Sequence, residues 1–121
     1  MSHTLEAFVA ARGAALRLAL NKLYYRGERI SIYGAPAKLT TLVYALGLTD
    51  LKFDCVAEDN PRKVGRTTPG MHLPIVTVEE MLSRKPDTII VAAWNFYDDI
   101  AAKLRRVGFK GGIINPMGSV T

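Results

Sequence analysis

Five short runs in this chain are apolar almost without interruption, and helical segments lie between them. They are Arg29-Ile30-Ser31-Ile32-Tyr33, Phe53 to Ala57, Leu73-Pro74-Ile75-Val76, Thr88-Ile89-Ile90-Val91-Ala92-Ala93 and Gly112-Ile113-Ile114-Asn115. A strand with one wet face alternates apolar and polar residues, whereas a strand covered on both faces need not. Helices between successive strands supply the crossover that parallel pairing demands. The pattern predicts an α/β fold, a three-layer sandwich with a mostly parallel sheet of about five strands.

The connecting segments carry their own punctuation. Residues 4–26 read as a helix, with Leu5, Phe8, Val9, Leu16, Leu20 and Leu23 on one face and Gly27 to end it. Leu39, Leu42, Val43 and Leu46 mark a second helix that stops at Gly47. Thr77-Val78-Glu79-Glu80 is a capping box, so a short helix should run to about Ser83. Phe96 to Val107 is a further helix. Asp98 and Asp99 lie early in it and Lys103, Arg105 and Arg106 late, the order that suits the helix dipole, and Gly108 closes it. Residues 59–73 hold Pro61, Gly65, Pro69 and Gly70 without periodicity and read as one long loop.

At 121 residues the chain suits a single domain spanning 1–121. Its single cysteine, Cys55, excludes a disulfide framework and a cysteine zinc site within one chain, and no metal is expected. Without a membrane-length apolar run or a basic leader, the expected location is cytoplasmic, with no membrane partner. The net charge of +5 favours an anionic partner. The cations are scattered and the aromatics show no RNA-binding pattern, which favours a small anionic ligand over nucleic acid.

In an open parallel sheet, ligands settle beyond the carboxyl ends of the strands, where strand order reverses. Gly34-Ala35-Pro36-Ala37-Lys38 leaves the first strand toward a helix whose free N–H groups suit a phosphate. Gly34, Pro36, Lys38 and Thr40 form this candidate; the plain alternative is a connecting turn with Lys38 solvated. Asp59 and Asn60 follow the second strand, where a dinucleotide fold places an acid against a ribose hydroxyl; Asp-Asn-Pro is equally good turn chemistry. Lys63, Arg66 and His72 lie in the long loop and would close over a diphosphate, unless the loop is simply solvated. His72 is a candidate general base at neutral pH, and in an independent enzyme His72 or Lys38 would act as acid or base. Trp94 and Asn95 follow the most apolar strand and would line the far side of a ligand, with Asn95 alternatively capping the next helix. Tyr24, Tyr25, Tyr33 and Tyr44 show no interpretable arrangement.

Taken in order, these segments resemble a known family. Tyr33-Gly34-Ala35-Pro36-Ala37-Lys38, Asp59-Asn60-Pro61 with Lys63-x-Gly65-Arg66, Pro69-Gly70-x-His72-x-Pro74-Ile75 and Ala93-Trp94-Asn95-Phe96 resemble the C-terminal domain of sugar C-methyltransferases of deoxysugar biosynthesis, across about residues 5–118. The resemblance implies a Rossmann-like fold that helps hold a nucleotide-linked keto sugar. In that family an N-terminal domain holds zinc and a central one S-adenosylmethionine. The methyl group is added to a carbanion formed beside the ketone. This chain has neither zinc cysteines nor a glycine-rich S-adenosylmethionine loop, and Leu39 stands where the family often has glycine. The expectation is a nucleotide-sugar-binding domain that binds no cofactor itself and works with a separate methyltransferase chain, or is an excised piece of one. An independent isomerase- or epimerase-like enzyme, or a non-catalytic interaction module, is the alternative.

Overall fold

The computed structural model describes residues 2–34, 43–44, 47–48, 51–68 and 71–116. Helix α1 (Ser2–Tyr25) leads into β1 (Ile30–Tyr33), followed by β2 (Val56–Ala57) and β3 (Ile75–Val76). Then come α2 (Val78–Ser83), β4 (Thr88–Val91), a 3₁₀ turn (Trp94–Phe96), α3 (Tyr97–Arg106) and β5 (Gly112–Ile114). Val43 and Tyr44 are helical, as the Leu39–Leu46 pattern expects; Leu39, Leu42 and Leu46 lie outside the described residues.

The strands form one five-stranded sheet in the order β3-β2-β1-β4-β5. Every pair is parallel, with Ile32 beside Val56 and Ile90, and Ile89 beside Ile113. The fold is the parallel α/β sandwich that the apolar runs predict, Rossmann-like as the resemblance implies. Strand order starts outward from β1 through β2 to β3, then returns to the other side of β1 with β4. The switch point therefore lies between β1 and β4.

Period-two alternation divides the core between the two faces. Ile30, Ile32, Val56, Ile90, Ala92 and Ile114 pack with Leu16 and Leu20 of α1 and with Val43 and Leu48. Tyr33, Cys55, Ala57, Val76 and Ile89 pack on the other face with Met81 of α2 and Leu104 of α3. Burial on both faces explains why the strands need no polar alternation. Among the described residues, no helix is long and apolar enough to cross a membrane.

Three local readings change. Segment 59–73 is not a structureless loop. Gly65 N donates to Ile75 O (2.9 Å), Ile75 N to Arg66 O (2.8 Å) and Thr68 N to Leu73 O (2.8 Å). The buried Thr68 hydroxyl also accepts from Leu73 N at 3.0 Å. The segment is thus an arm folded back on itself, and backbone pairing holds it where side-chain periodicity is silent; Pro69 and Gly70 lie outside the described residues. Asn95 does not cap a helix: it lies within the 3₁₀ turn, α3 begins at Tyr97, and no side chain caps either start. The second strand is hydrogen-bonded beyond β2, through Asp54 N to Ile30 O (2.8 Å), but has strand geometry only over Val56–Ala57.

Candidate functional site

The carboxyl edge of the sheet brings strand ends together in the order Ala57, Tyr33, Val91 and Ile114. Adjacent strands lie about 4.8 Å apart, so the exits of β2, β1 and β4 fit within the span of one nucleotide. Gly34 leaves β1 at φ +84, and a Cβ on it would come within 3.1 Å of the Ala93 Cβ beyond β4. The chain exits on either side of the switch point therefore touch. Pro36, Lys38 and Thr40 lie outside the described residues; of the candidate phosphate turn, Gly34 is described.

Asp59, two residues past β2, takes part in a cluster that sequence reasoning missed. The Tyr33 hydroxyl donates to its carboxylate, at 2.9 Å to Oδ1 and 3.0 Å to Oδ2. Lys103 Nζ of α3 donates to the Tyr33 hydroxyl at 2.9 Å and to Asp59 Oδ1 at 3.1 Å. The ammonium also lies 5.6 Å from the centre of the Tyr33 ring. Burial pushes the Tyr33 phenol above its usual pKa, with the hydrogen bond from Lys103 opposing and Asp59 adding to the rise. The Tyr33 hydrogen bond holds Lys103 above the ordinary lysine value, against some desolvation. At neutral pH Tyr33 is a neutral phenol and Lys103 an ammonium, and both are hydrogen-bonded to Asp59. A signal for it exists in the sequence. Tyr33 falls on the β1 face opposite Ile30 and Ile32, and a buried phenol needs a polar partner. The nearest acid is the one that follows the neighbouring strand.

Asp59 keeps spare capacity. An ionised carboxylate offers about four lone-pair sites, and Oδ2 receives only the longer of the two Tyr33 contacts. Beside it, Glu58, Asp59, Pro61, Val64, Thr77, Val78, Glu79 and Lys103 help line a groove of 280 Å³ between α2 and α3. Asn60 behaves as the turn residue that its sequence allows. Its side-chain oxygen accepts from Arg62 N at 3.0 Å, and its carbonyl accepts from Lys63 N at 3.0 Å.

Lys63 and Arg66 are exposed on the arm, and neither forms an ion pair among the described residues. His72 is exposed at the arm's turn, with φ +54, and its backbone N–H donates to Thr68 O at 3.0 Å. These side chains are available on one flank, but no described contact draws them over Gly34. Trp94 packs against the α1 side of the core. With Asn95, Phe96, Tyr97, Asp98, Asp99 and Asn115 it lines a second groove of 280 Å³, beyond β4 and β5. No cluster suited to a metal ion occurs among the described residues.

The whole of this architecture lies within a stretch that matches a known family: the C-methyltransferase C-terminal domain model covers residues 3–116. The chain belongs to that family. C-methyltransferase NovU from Streptomyces niveus is 31% identical to it over 74 residues, 61% of this chain. The match spans 18% of NovU's length. This C-methyltransferase C-terminal domain thus answers to a small part of that relative, and its sheet edge, with Gly34, Asp59 and Trp94 in line, falls inside the matched family region.

Proposed function

We propose that this domain holds a nucleotide-linked sugar for C-methylation, with the methyl donor S-adenosylmethionine bound by a separate methyltransferase domain or chain. The observation that carries the reading is the switch point itself. In a member of the C-methyltransferase C-terminal family, the exits of β1 and β4 meet at Gly34 and Ala93, and Asp59 stands one strand away.

The turn from Gly34 through Pro36, Lys38 and Thr40 would receive the diphosphate through backbone N–H groups and the Lys38 ammonium. Asp59 would accept a sugar or ribose hydroxyl on Oδ2 while hydrogen bonds from Tyr33 and Lys103 hold the carboxylate in place. Asn60 would contribute its side-chain amide nitrogen, since its side-chain oxygen accepts from Arg62 N and its backbone N–H donates to Glu58. Trp94 and Asn95 would line the other side of the ligand, and Lys63, Arg66 and His72 would approach from the arm. In this reading His72 is a candidate acid or base, and the chain is not a complete methyltransferase by itself. The setting is the cytosol and its deoxysugar pathways, where a free, buried thiol such as Cys55 stays reduced.

Titration calorimetry tests the reading. A dTDP-linked keto sugar should bind the domain, and Lys38→Ala and Asp59→Ala should each weaken binding about tenfold, the loss of roughly one charge-assisted hydrogen bond. S-adenosylmethionine should give no heat. Binding of S-adenosylmethionine but of no nucleotide sugar, with or without a methyltransferase chain present, would overturn it.

A further inference from the structure

Two grooves of equal size open at the carboxyl edge of the sheet, one on each side of the switch point. The first lies between α2 and α3, at the exits of β2 and β3, and holds 280 Å³. Pro61, Val64, Val78, Leu82 and Val107 give it apolar walls. Its polar groups are mostly engaged within the protein. Asp59 and Lys103 bond each other and Tyr33. Glu58 accepts from Asn60 N, and the Thr77 hydroxyl accepts from Glu80 N. The second groove, also 280 Å³, lies at the exits of β4 and β5. Asn95, Asp98 and Asp99 line it and are exposed, beside the Phe96 ring, which is 58% exposed. Between the two grooves the β1 and β4 exits meet at Gly34 and Ala93.

Equal volume leaves the choice of occupant to chemistry. A nucleobase is a flat ring with two apolar faces and polar groups only on its edge, so it gains most against apolar walls. A hexose carries hydroxyls around its rim, and each one buried without a partner is destabilising. Among Val64, Val78, Leu82 and Val107 those hydroxyls would find few partners. In the second groove they meet two carboxylates and an amide, which accept O–H groups, the carboxylates in charge-assisted bonds. The Phe96 ring there covers the apolar C–H face of the sugar. Both grooves carry carboxylates, so like charge leaves the diphosphate between them, at the Gly34 turn. Three strand spacings separate the exits of β2 and β5, about 14 Å. Base, ribose, diphosphate and sugar bridge that distance in sequence.

We propose that a nucleotide sugar lies along this edge in one direction. Its base enters the groove between α2 and α3, its ribose meets Asp59, its diphosphate sits at Gly34, and its sugar ring rests in the groove of Asn95, Phe96, Asp98 and Asp99. The inference rests on the reading of the domain as a holder of nucleotide sugars, and adds which end goes where. It gives Asp98 and Asp99 a second role beside their complement to the α3 dipole: they select sugar hydroxyls.

Backbone-amide NMR with dTDP and with a dTDP-linked keto sugar, compared on the unmodified domain, reads the direction. dTDP should shift amides at Asp59, Val64 and Val78 and leave 95–99 in place. The keto sugar should add shifts at 95–99. Calorimetry gives an independent reading. Phe96→Ala, at an exposed position, should keep the native circular dichroism, weaken the keto sugar about fivefold and leave dTDP unchanged. Val64→Ala should weaken both ligands alike. Shifts at 95–99 with dTDP alone, or equal losses for the two ligands in Phe96→Ala, would overturn the direction and leave the nucleotide-sugar reading standing. No shift and no heat with either ligand would overturn both.

Discussion

Gly34 carries a double constraint. Its φ of +84 is costly for any residue with a Cβ, and an added methyl would sit 3.1 Å from the Ala93 Cβ. Gly34→Ala should therefore cost about 1–2 kcal/mol of stability, measured by urea unfolding. It should also push the β1 and β4 exits apart, and so weaken ligand binding beyond the stability loss. Tyr33 is a second such point. Tyr33→Phe removes one hydroxyl that joins Asp59 to Lys103, and should cost about 1 kcal/mol. The pKa values of Tyr33 and Lys103 are both raised in the folded state. The folded protein thus binds these protons more tightly than the unfolded chain does. Their contribution is complete below the ordinary values of about 10, and is lost as pH rises through the raised ones. Stability measured against pH should fall on the alkaline side, and the fall should be shallower in Tyr33→Phe. An unchanged slope would mean that the cluster holds no protons of its own.

At the scale of elements, local chemistry decides where helices begin and how loops hold. The Thr77 hydroxyl accepts from Glu80 N at 3.1 Å, and α2 has only six residues to hold itself together. Thr77→Ala should cost about 1 kcal/mol and lower the melting temperature by about 4 °C, read by thermal circular dichroism. This cap was legible because its signature is two side-chain types at fixed spacing. The start of α3 was less so. The Trp94–Phe96 turn is closed by a backbone bond from Phe96 N to Ala93 O at 3.0 Å and has no side-chain cap to mark its start. The same holds for the arm at 65–75, whose pairing runs through main-chain groups and the buried Thr68 hydroxyl. Strands, by contrast, were visible from burial alone: Thr88–Val91 is buried at every position and reads as such.

At the scale of the molecule, five apolar runs, separated by helices except for the arm between the second and third, point to a parallel sheet covered on both faces. The strand order follows from which exits touch, and the sequence does not print it. The candidate site shows the same division. Gly34, Asp59 and Trp94 could be placed because each follows a strand end. The partners that orient Asp59 could not, since Tyr33 and Lys103 stand 70 residues apart and meet only across the sheet and α3. The arm residues Lys63, Arg66 and His72 stand out by charge, titratable chemistry and motif, none of which says which way an arm folds.

The central claim is that the carboxyl edge of this sheet holds a nucleotide sugar. Backbone-amide NMR of the free domain, with UDP, dTDP, a dTDP-linked keto sugar and S-adenosylmethionine added separately, tests it most directly. The account expects the keto sugar to shift amides around Gly34, Asp59 and Trp94–Asn95, and S-adenosylmethionine to shift none. Shifts confined to the opposite edge, near Lys85 and Gly111, or shifts with S-adenosylmethionine alone, would contradict it.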